Sequence, residues 1–389
     1  MRLSFRLAAV KALRKKVQGG CKRRRRDIVK AGSRSATFKE IPEEVLIEIL
    51  VRLPANSAMR FKCVSKHWSS LISSRYFTNL FFQVSLTKRE RRVFMFLSNN
   101  EHRCALLLSN NDDLKPDSFS HLNHDLTLPR MRGDFVNALR GLMCFRVGRV
   151  IRICNLTTMQ LASLPQVKSS MFHEAHVDFR MQSFFGHDSV RDEYKVLNTV
   201  CEVSEEEGVV RSEHQVLVLG PGAYWRNTQS NIPPPPHRPC TQRLSINGVF
   251  YYGARIDKNT CVLMSFDLTS EDFSLIELPI EASIVWDRHR ANIMIYQGKA
   301  AVFEYSRLVT GCILDLWVVE DAGKSEWSHK AFVLPIQLLM QSLCFDELLM
   351  HHTGRSGELR LSGARFDGNK VSMHAIYDLE RKCVSRGVV

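Results

Sequence analysis

The sequence predicts an α+β multidomain chain: a small all-α module of three short helices, then an all-β domain assembled from repeated meanders, a β-propeller. Three observations carry that expectation. Apolar residues recur at helical spacing between Ile41 and Ile72. After Phe82 the pattern becomes period-two, with Gly, Asn, Asp and Pro between short apolar runs. A unit that opens on glycine and closes on Leu-Pro then returns three times. The expected boundaries are a basic tail at 1–37, the helical module at 38–84 and the β domain at 85–389.

The tail holds thirteen Lys and Arg against one acid, Asp27, so twelve of the fourteen net positive charges lie there. The remaining body is close to neutral, and nucleic-acid binding by the folded part is not expected, since that would want a basic face on the domain itself. Lys22, Arg23, Arg24, Arg25 and Arg26 form a compact cluster suited to nuclear import. Residues 1–17 interleave Leu3, Phe5, Leu7, Val10 and Leu13 with basic residues and lack acids, as a mitochondrial transit peptide does. A solvated, disordered tail is the third reading.

In the helical module, Pro42 suits a first helical position and Glu43 and Glu44 suit the positive end of a helix dipole. Val45, Leu46, Ile49, Leu50 and Leu53 recur at helical spacing, and Pro54 ends the run. A second, turn-rich helix brings Met59, Phe61, Cys63 and Val64 to the first. Ser65 is the expected N-cap of a third helix bearing Trp68, Leu71 and Ile72. Three helices this short cannot bury all these side chains among themselves, and modules of about 40 residues usually need a metal, disulfides or a partner. No metal-ligand spacing is present and Cys63 stands alone, which leaves a partner.

Ile41-Pro42, Ile49-Leu50, Arg52-Leu53-Pro54, Arg60-Phe61, Cys63-Val64-Ser65-Lys66 and Trp68 resemble an F-box. Ile41 replaces the usual Leu, and Asn56 stands where plant members usually carry Lys. The resemblance implies docking on the Skp-type adaptor of a Skp–cullin–F-box ubiquitin ligase. The residues it implicates in adaptor binding are Ile41, Pro42, Val45, Ile49, Leu50, Leu53, Pro54, Phe61, Val64 and Trp68.

Composition sets the remaining bounds. The chain has 389 residues, 44% hydrophobic and 24% charged, enough for two or three globular domains. No run of about 18 apolar residues occurs, so no membrane span is expected. Eleven cysteines, odd in number and without a CxxC pair, read as reduced thiols of an intracellular protein.

The β domain opens with a hairpin of Arg92–Ser98 and Arg103–Ser109. Further strands are expected at Arg149–Cys154, Gln215–Leu219, Gly248–Ala254, Cys261–Leu268, Ile293–Ile295, Lys299–Tyr305 and Leu314–Glu320. The repeated unit runs from Gly141 to Pro165, Gly248 to Pro279 and Gly298 to Pro335: glycine, strand, turn, strand, turn, short strand, Leu-Pro. Meanders of this kind build propellers, and at about 50 residues per kelch-like blade the domain has room for about six or seven. Gly186–Val200, Trp225-Arg226, Ile246–Tyr252, Phe266–Pro279 and Leu316–Trp327 resemble the plant F-box-associated interaction domain of type 3. That resemblance implies a kelch-like β-propeller used for protein interactions.

Chemistry of the chain's own finds little support. His173-Glu174-Ala175-His176 is one residue short of the HExxH spacing that puts two imidazoles on one helix face. No GxSxG, P-loop or GxGxxG is present. Pro233–Pro236 reads as a stiff connector between blades, and Trp286, Trp317 and Trp327 read as anchors of blade cores. The sequence therefore predicts a non-catalytic substrate receptor with no cofactor and no metal. Its partners would be a Skp-type adaptor, through it a cullin, and a target protein whose identity is open, with no membrane partner. It would work in the nucleus, the cytoplasm or both. The alternative is an F-box scaffold acting outside a ligase.

Overall fold

The computed structural model describes residues 41–87, 91–98, 103–110, 133–155, 160–173, 178–204, 208–287, 289–335, 347–353, 356–364 and 373–387. The tail, with Lys22, Arg23, Arg24, Arg25 and Arg26, lies outside them, as does Glu174–His176.

Four helices come first: α1 (Glu43–Arg52), α2 (Ala55–Phe61), α3 (Lys66–Ile72) and α4 (Arg75–Thr87). Pro42 caps α1, and Pro54 both ends the approach from α1 and caps α2. The Ser65 hydroxyl accepts the Trp68 N–H at 3.1 Å, the cap that the sequence predicts. The fourth helix goes beyond the expected three and carries helix past residue 84. Its cause is the spacing of Phe77, Leu80, Phe81 and Val84, which pack on the module's core. Ser74 caps it, its hydroxyl accepting the Phe77 N–H at 3.1 Å. The core holds Leu46, Ile47, Leu50 and Val51 of α1, Leu71 and Ile72 of α3 and Phe77 of α4.

The all-β part begins with an antiparallel hairpin, β1 (Arg91–Ser98) and β2 (Arg103–Asn110). Five four-stranded antiparallel meanders follow among the described residues, the five blades of a β-propeller. The first blade is β3 (Asp134–Leu139), β4 (Leu142–Val147), β5 (Val150–Asn155) and β6 (Gln160–Ser163). The second is β7 (Phe179–Asp188), β8 (Glu193–Ser204), β9 (Gly208–Val218) and β10 (Arg226–Asn227). The third is β11 (Arg238–Ile246), β12 (Val249–Arg255), β13 (Cys261–Asp267) and β14 (Phe273–Glu277). The fourth is β15 (Ala291–Tyr296), β16 (Lys299–Glu304), β17 (Ile313–Asp321) and β18 (Glu326–Val333). The fifth is β19 (Glu347–His352), β20 (Glu358–Ala364), β21 (Met373–Asp378) and β22 (Cys383–Gly387).

Five blades stand where chain length allows about six or seven at ~50 residues each. First strands begin at Phe179, Arg238, Ala291 and Glu347, so the second, third and fourth blades with their connectors are each longer than the kelch-like figure. The Gly…Leu-Pro unit corresponds to strands two to four of the first, third and fourth blades. The glycine is the second residue of a two-residue hairpin turn after the first strand. Arg140-Gly141, Asn247-Gly248 and Gln297-Gly298 all have positive φ at both positions, the type I′ geometry that matches the twist of antiparallel strands.

The described residues form two compact units, those between 41 and 164 with 220–222, and those between 165 and 219 with those from 223 to 387. Within the second unit, adjacent blades bury their faces against each other. Phe184, Leu197 and Val216 of the second blade pack with Phe250, Tyr252, Met264 and Phe266 of the third. Leu244, Leu263 and Ile276 pack with Ile293, Val302 and Val319 of the fourth. Leu316 and Phe303 pack with Met350, Leu359 and Leu361 of the fifth. Burial on both faces explains why β13 reads as a continuous apolar run rather than an alternation.

An ionic cluster crosses the interface between the second and third blades. The buried Lys195 ammonium donates to the Leu268 carbonyl and to Glu271 Oε1 at 3.2 Å, and lies 3.4 Å from Asp188 Oδ2. Arg226 adds a bidentate pair to Glu271, both at 2.6 Å. Burial pushes the Asp188 and Glu271 carboxyls up. The Arg191 and Val190 N–H groups, the Thr269 hydroxyl and Lys195 more than offset this for Asp188, and Arg226 and Lys195 do so for Glu271. Both therefore sit below the usual carboxylate range.

Candidate functional site: an uncovered apolar stripe on the helical module

A helix on the surface of a module normally has one apolar stripe and a polar remainder. In α1 the stripe that faces the module's core is Leu46, Ile47, Leu50 and Val51. Val45 and Ile49 lie one helical turn apart on another face, and Ile41 precedes them by the same spacing. They are 59% (Ile41), 45% (Val45) and 48% (Ile49) exposed. Val64, between α2 and α3, is 61% exposed. So α1 is apolar on more of its circumference than its own module covers, the pattern of a helix that belongs inside a larger core. Glu48 and Arg52, paired at 2.6 Å, supply its polar side.

The ten residues implicated in adaptor docking divide by this geometry. Ile41, Val45, Ile49 and Val64 present apolar surface, and Pro42 and Pro54 are exposed at the ends of α1. Leu50 is 1% exposed and lies in the core. Leu53, Phe61 and Trp68 are half-buried against that same core, with the Phe61 and Trp68 rings 5.2 Å apart. A side chain as enclosed as Leu50 reaches no partner, so its part is to hold α1 in place. Tyr76 on α4 is exposed as well and escaped the sequence reading, because α4 was not foreseen. The caps Ser65 and Ser74 bracket α3 and start α4; Ser74 followed three residues later by an apolar run is the signal that could have found it.

The remaining candidates take structural places. Trp286 is buried between the third and fourth blades, with Trp317 and Trp327 packed on the same core. Pro233–Pro236 runs between β10 and β11 as a connector. Among the described residues, no three His, Cys, Asp or Glu side chains gather as a metal site would require.

Comparison with known families agrees with this division. The F-box domain model matches residues 38–80, and the model of the F-box associated beta propeller domain matches residues 91–388. An Arabidopsis thaliana F-box protein, At3g52320, is 46% identical over 90% of this chain and 87% of its own length. The F-box/kelch-repeat protein At4g19930 of the same plant is 41% identical over 80% and 73%. F-box protein At4g19940 is 38% identical over 94% and 89%. With a helical module whose apolar stripe is left uncovered, followed by propeller blades, the chain belongs to the F-box proteins that carry an F-box-associated β-propeller domain.

Proposed function

We propose that this protein is the substrate-recognition subunit of a Skp–cullin–F-box ubiquitin ligase. The F-box docks on a Skp-type adaptor and through it a cullin, and the propeller recruits a target protein for ubiquitination. The observation that carries this reading is the uncovered stripe of Ile41, Val45 and Ile49, with Val64, on a module that is otherwise packed. These side chains are already about half covered, so hiding the rest contributes on the order of 1 kcal/mol each before association costs are subtracted. The protein makes and breaks no bonds itself. It raises the local concentration of a target beside a ubiquitin-charged enzyme held elsewhere in the assembly.

The test is a pull-down of the full chain with a Skp-type adaptor and cullin, comparing wild type with Ile49→Asp. A charge at Ile49 leaves the module's core untouched and places an unpaired carboxylate in the interface. Wild type should retain both partners and Ile49→Asp should lose both while keeping its thermal melting profile. Retention of the adaptor without cullin would favour a scaffold outside a ligase, and retention of neither would end the receptor reading. We further propose that Lys22–Arg26 directs a nuclear pool. A tagged chain with these five residues changed to Ala should then stay cytoplasmic, and an unchanged distribution would remove the cluster from consideration.

A further inference from the structure

The second blade ends on an outer strand much shorter than its neighbour. β9 has eleven residues, and β10 has two, paired with Val216 and Gln215. The outer strands of the other blades have four to eight. After β10 the chain adds one hydrogen bond, from the Thr228 N–H to the His214 carbonyl at 3.1 Å, and then departs. Gly208 is bridged by Asp257 at the far end of β9. Among the described residues, Val209–Glu213 between these points has β8 on one side and no strand on the other. The departing connector forms no strand there, since Pro233–Pro236 has no N–H to donate, and it touches this stretch through the His237 N–H, which donates to the Ser212 hydroxyl at 3.4 Å. Unpaired strand edges are templates for another strand, and proteins normally blunt them.

An open groove of about 640 Å³ lies at this edge, lined by Lys168–Ser170, Ser212–Gln215 and the start of the connector from Asn227 to Pro234. Two features say what it takes. Gln215 Nε2 donates to the Lys168 carbonyl at 2.7 Å, which fixes the amide's orientation, and leaves Oε1 buried with no donor facing it. A buried acceptor without a donor costs free energy, and an incoming N–H would recover it. The charge of the lining is balanced: Lys168 is one cation, and Glu213, which accepts the Ser170 hydroxyl at 2.7 Å, is one anion. No cluster of cations is present for a phosphate, and the apolar side chains near at hand, Val210 and Ile232, are exposed.

We propose that this edge accepts an extended, uncharged and unphosphorylated segment of a partner protein as an added strand. The segment's main chain pairs along Val209–Glu213, and one of its N–H groups reaches Gln215 Oε1. The inference rests on the receptor reading and names the surface by which the target would be held.

The experiment pans a random nonapeptide display library on the purified full chain bound to a Skp-type adaptor. Enriched peptides should be low in net charge. Synthetic copies should lose affinity about tenfold when alternate amides are N-methylated and little at the amides between, the signature of strand pairing. Ser170→Trp, an exposed rim position, should fill the groove and abolish binding, and Gln215→Leu should weaken it several-fold. Enrichment of acidic peptides, an N-methyl scan without alternation, binding that survives Ser170→Trp, or no enrichment at all would each overturn the proposal. The adaptor pull-down is read separately: if it succeeds while the peptide experiment fails, the receptor reading stands and the groove does not. If the adaptor does not bind, panning the chain alone judges the groove by itself.

Discussion

At the scale of single residues, the buried histidines between the second and third blades tie stability to pH. The His214 and His237 rings stack with centroids 4.7 Å apart. The His237 Nδ1–H donates to the Pro235 carbonyl at 2.9 Å, and the Tyr252 hydroxyl donates to its Nε2 at 2.8 Å, so the neutral ring is fully used. Burial pulls His237 down to about 4, only partly opposed by the Pro235 carbonyl. Burial and the neighbouring His237 hold His214 well below its ordinary range. A folded-state value below the unfolded one means that the unfolded chain binds more protons between the two. For His237 the contribution is therefore complete above about 6.5 and is lost as pH falls towards about 4, at up to roughly 1.4 kcal/mol per pH unit, and His214 loses its contribution in the same direction. The stabilised carboxylates Asp188 and Glu271 are lost in the same direction, but below the ordinary carboxylate range. Urea unfolding midpoints should thus decline between pH 7 and pH 5; an unchanged midpoint over that interval would mean that these rings are not buried neutral.

At the scale of elements, the two-residue turns set how each blade starts. Gly248 sits at φ +83° with open space where a Cβ would stand, so its requirement is one of backbone conformation alone. Gly248→Val should cost about 1–2 kcal/mol by forcing a branched residue into the left-handed region, and Gly248→Asn distinctly less. Equal losses for the two in chemical denaturation would show that the turn is not type I′ in solution. These turns are also what made part of the fold legible. A glycine followed by three strands and a Leu-Pro marks the first, third and fourth blades, where Arg140-Gly141, Asn247-Gly248 and Gln297-Gly298 recur. The first strand of each blade lies upstream of the glycine and shares no such mark. The second blade has no X-Gly turn after its first strand. There Asp188 shapes the turn, its Oδ1 accepting the Val190 and Arg191 N–H groups at 3.0 and 3.1 Å. In the F-box, periodicity put Val45, Leu46, Ile49, Leu50 and Leu53 on one face of α1; the structure keeps Leu46 and Leu50 in the core, adds Ile47 and Val51, and leaves Val45 and Ile49 outside it. A helix apolar on two sides gives the same spacing whether Leu50 or Ile49 points inward, and only packing against α3 and α4 decides it.

At the scale of the whole molecule, the blades of the second unit are all four-stranded antiparallel meanders that bury apolar side chains against their neighbours. A repeat protein of this kind is prone to pairing the wrong repeats while folding. The cluster of Lys195, Asp188, Glu271 and Arg226 works against that error. It draws partners from the second and third blades, and any other neighbour for the second would enclose the Lys195 ammonium without Glu271 and the Leu268 carbonyl. Removing one partner of a buried pair costs about 3–5 kcal/mol, whereas an apolar replacement of the whole set is close to neutral. We expect Glu271→Ala to lower the unfolding midpoint steeply. A chain with Lys195→Met, Asp188→Leu, Glu271→Leu and Arg226→Met should instead keep much of its stability while yielding more misassembled and self-associated material on refolding. A quadruple variant that refolds as cleanly as wild type would remove this role from the cluster. In the living cell the same four residues would serve as an address shared by two blades, telling the newly made second blade that it belongs beside the third.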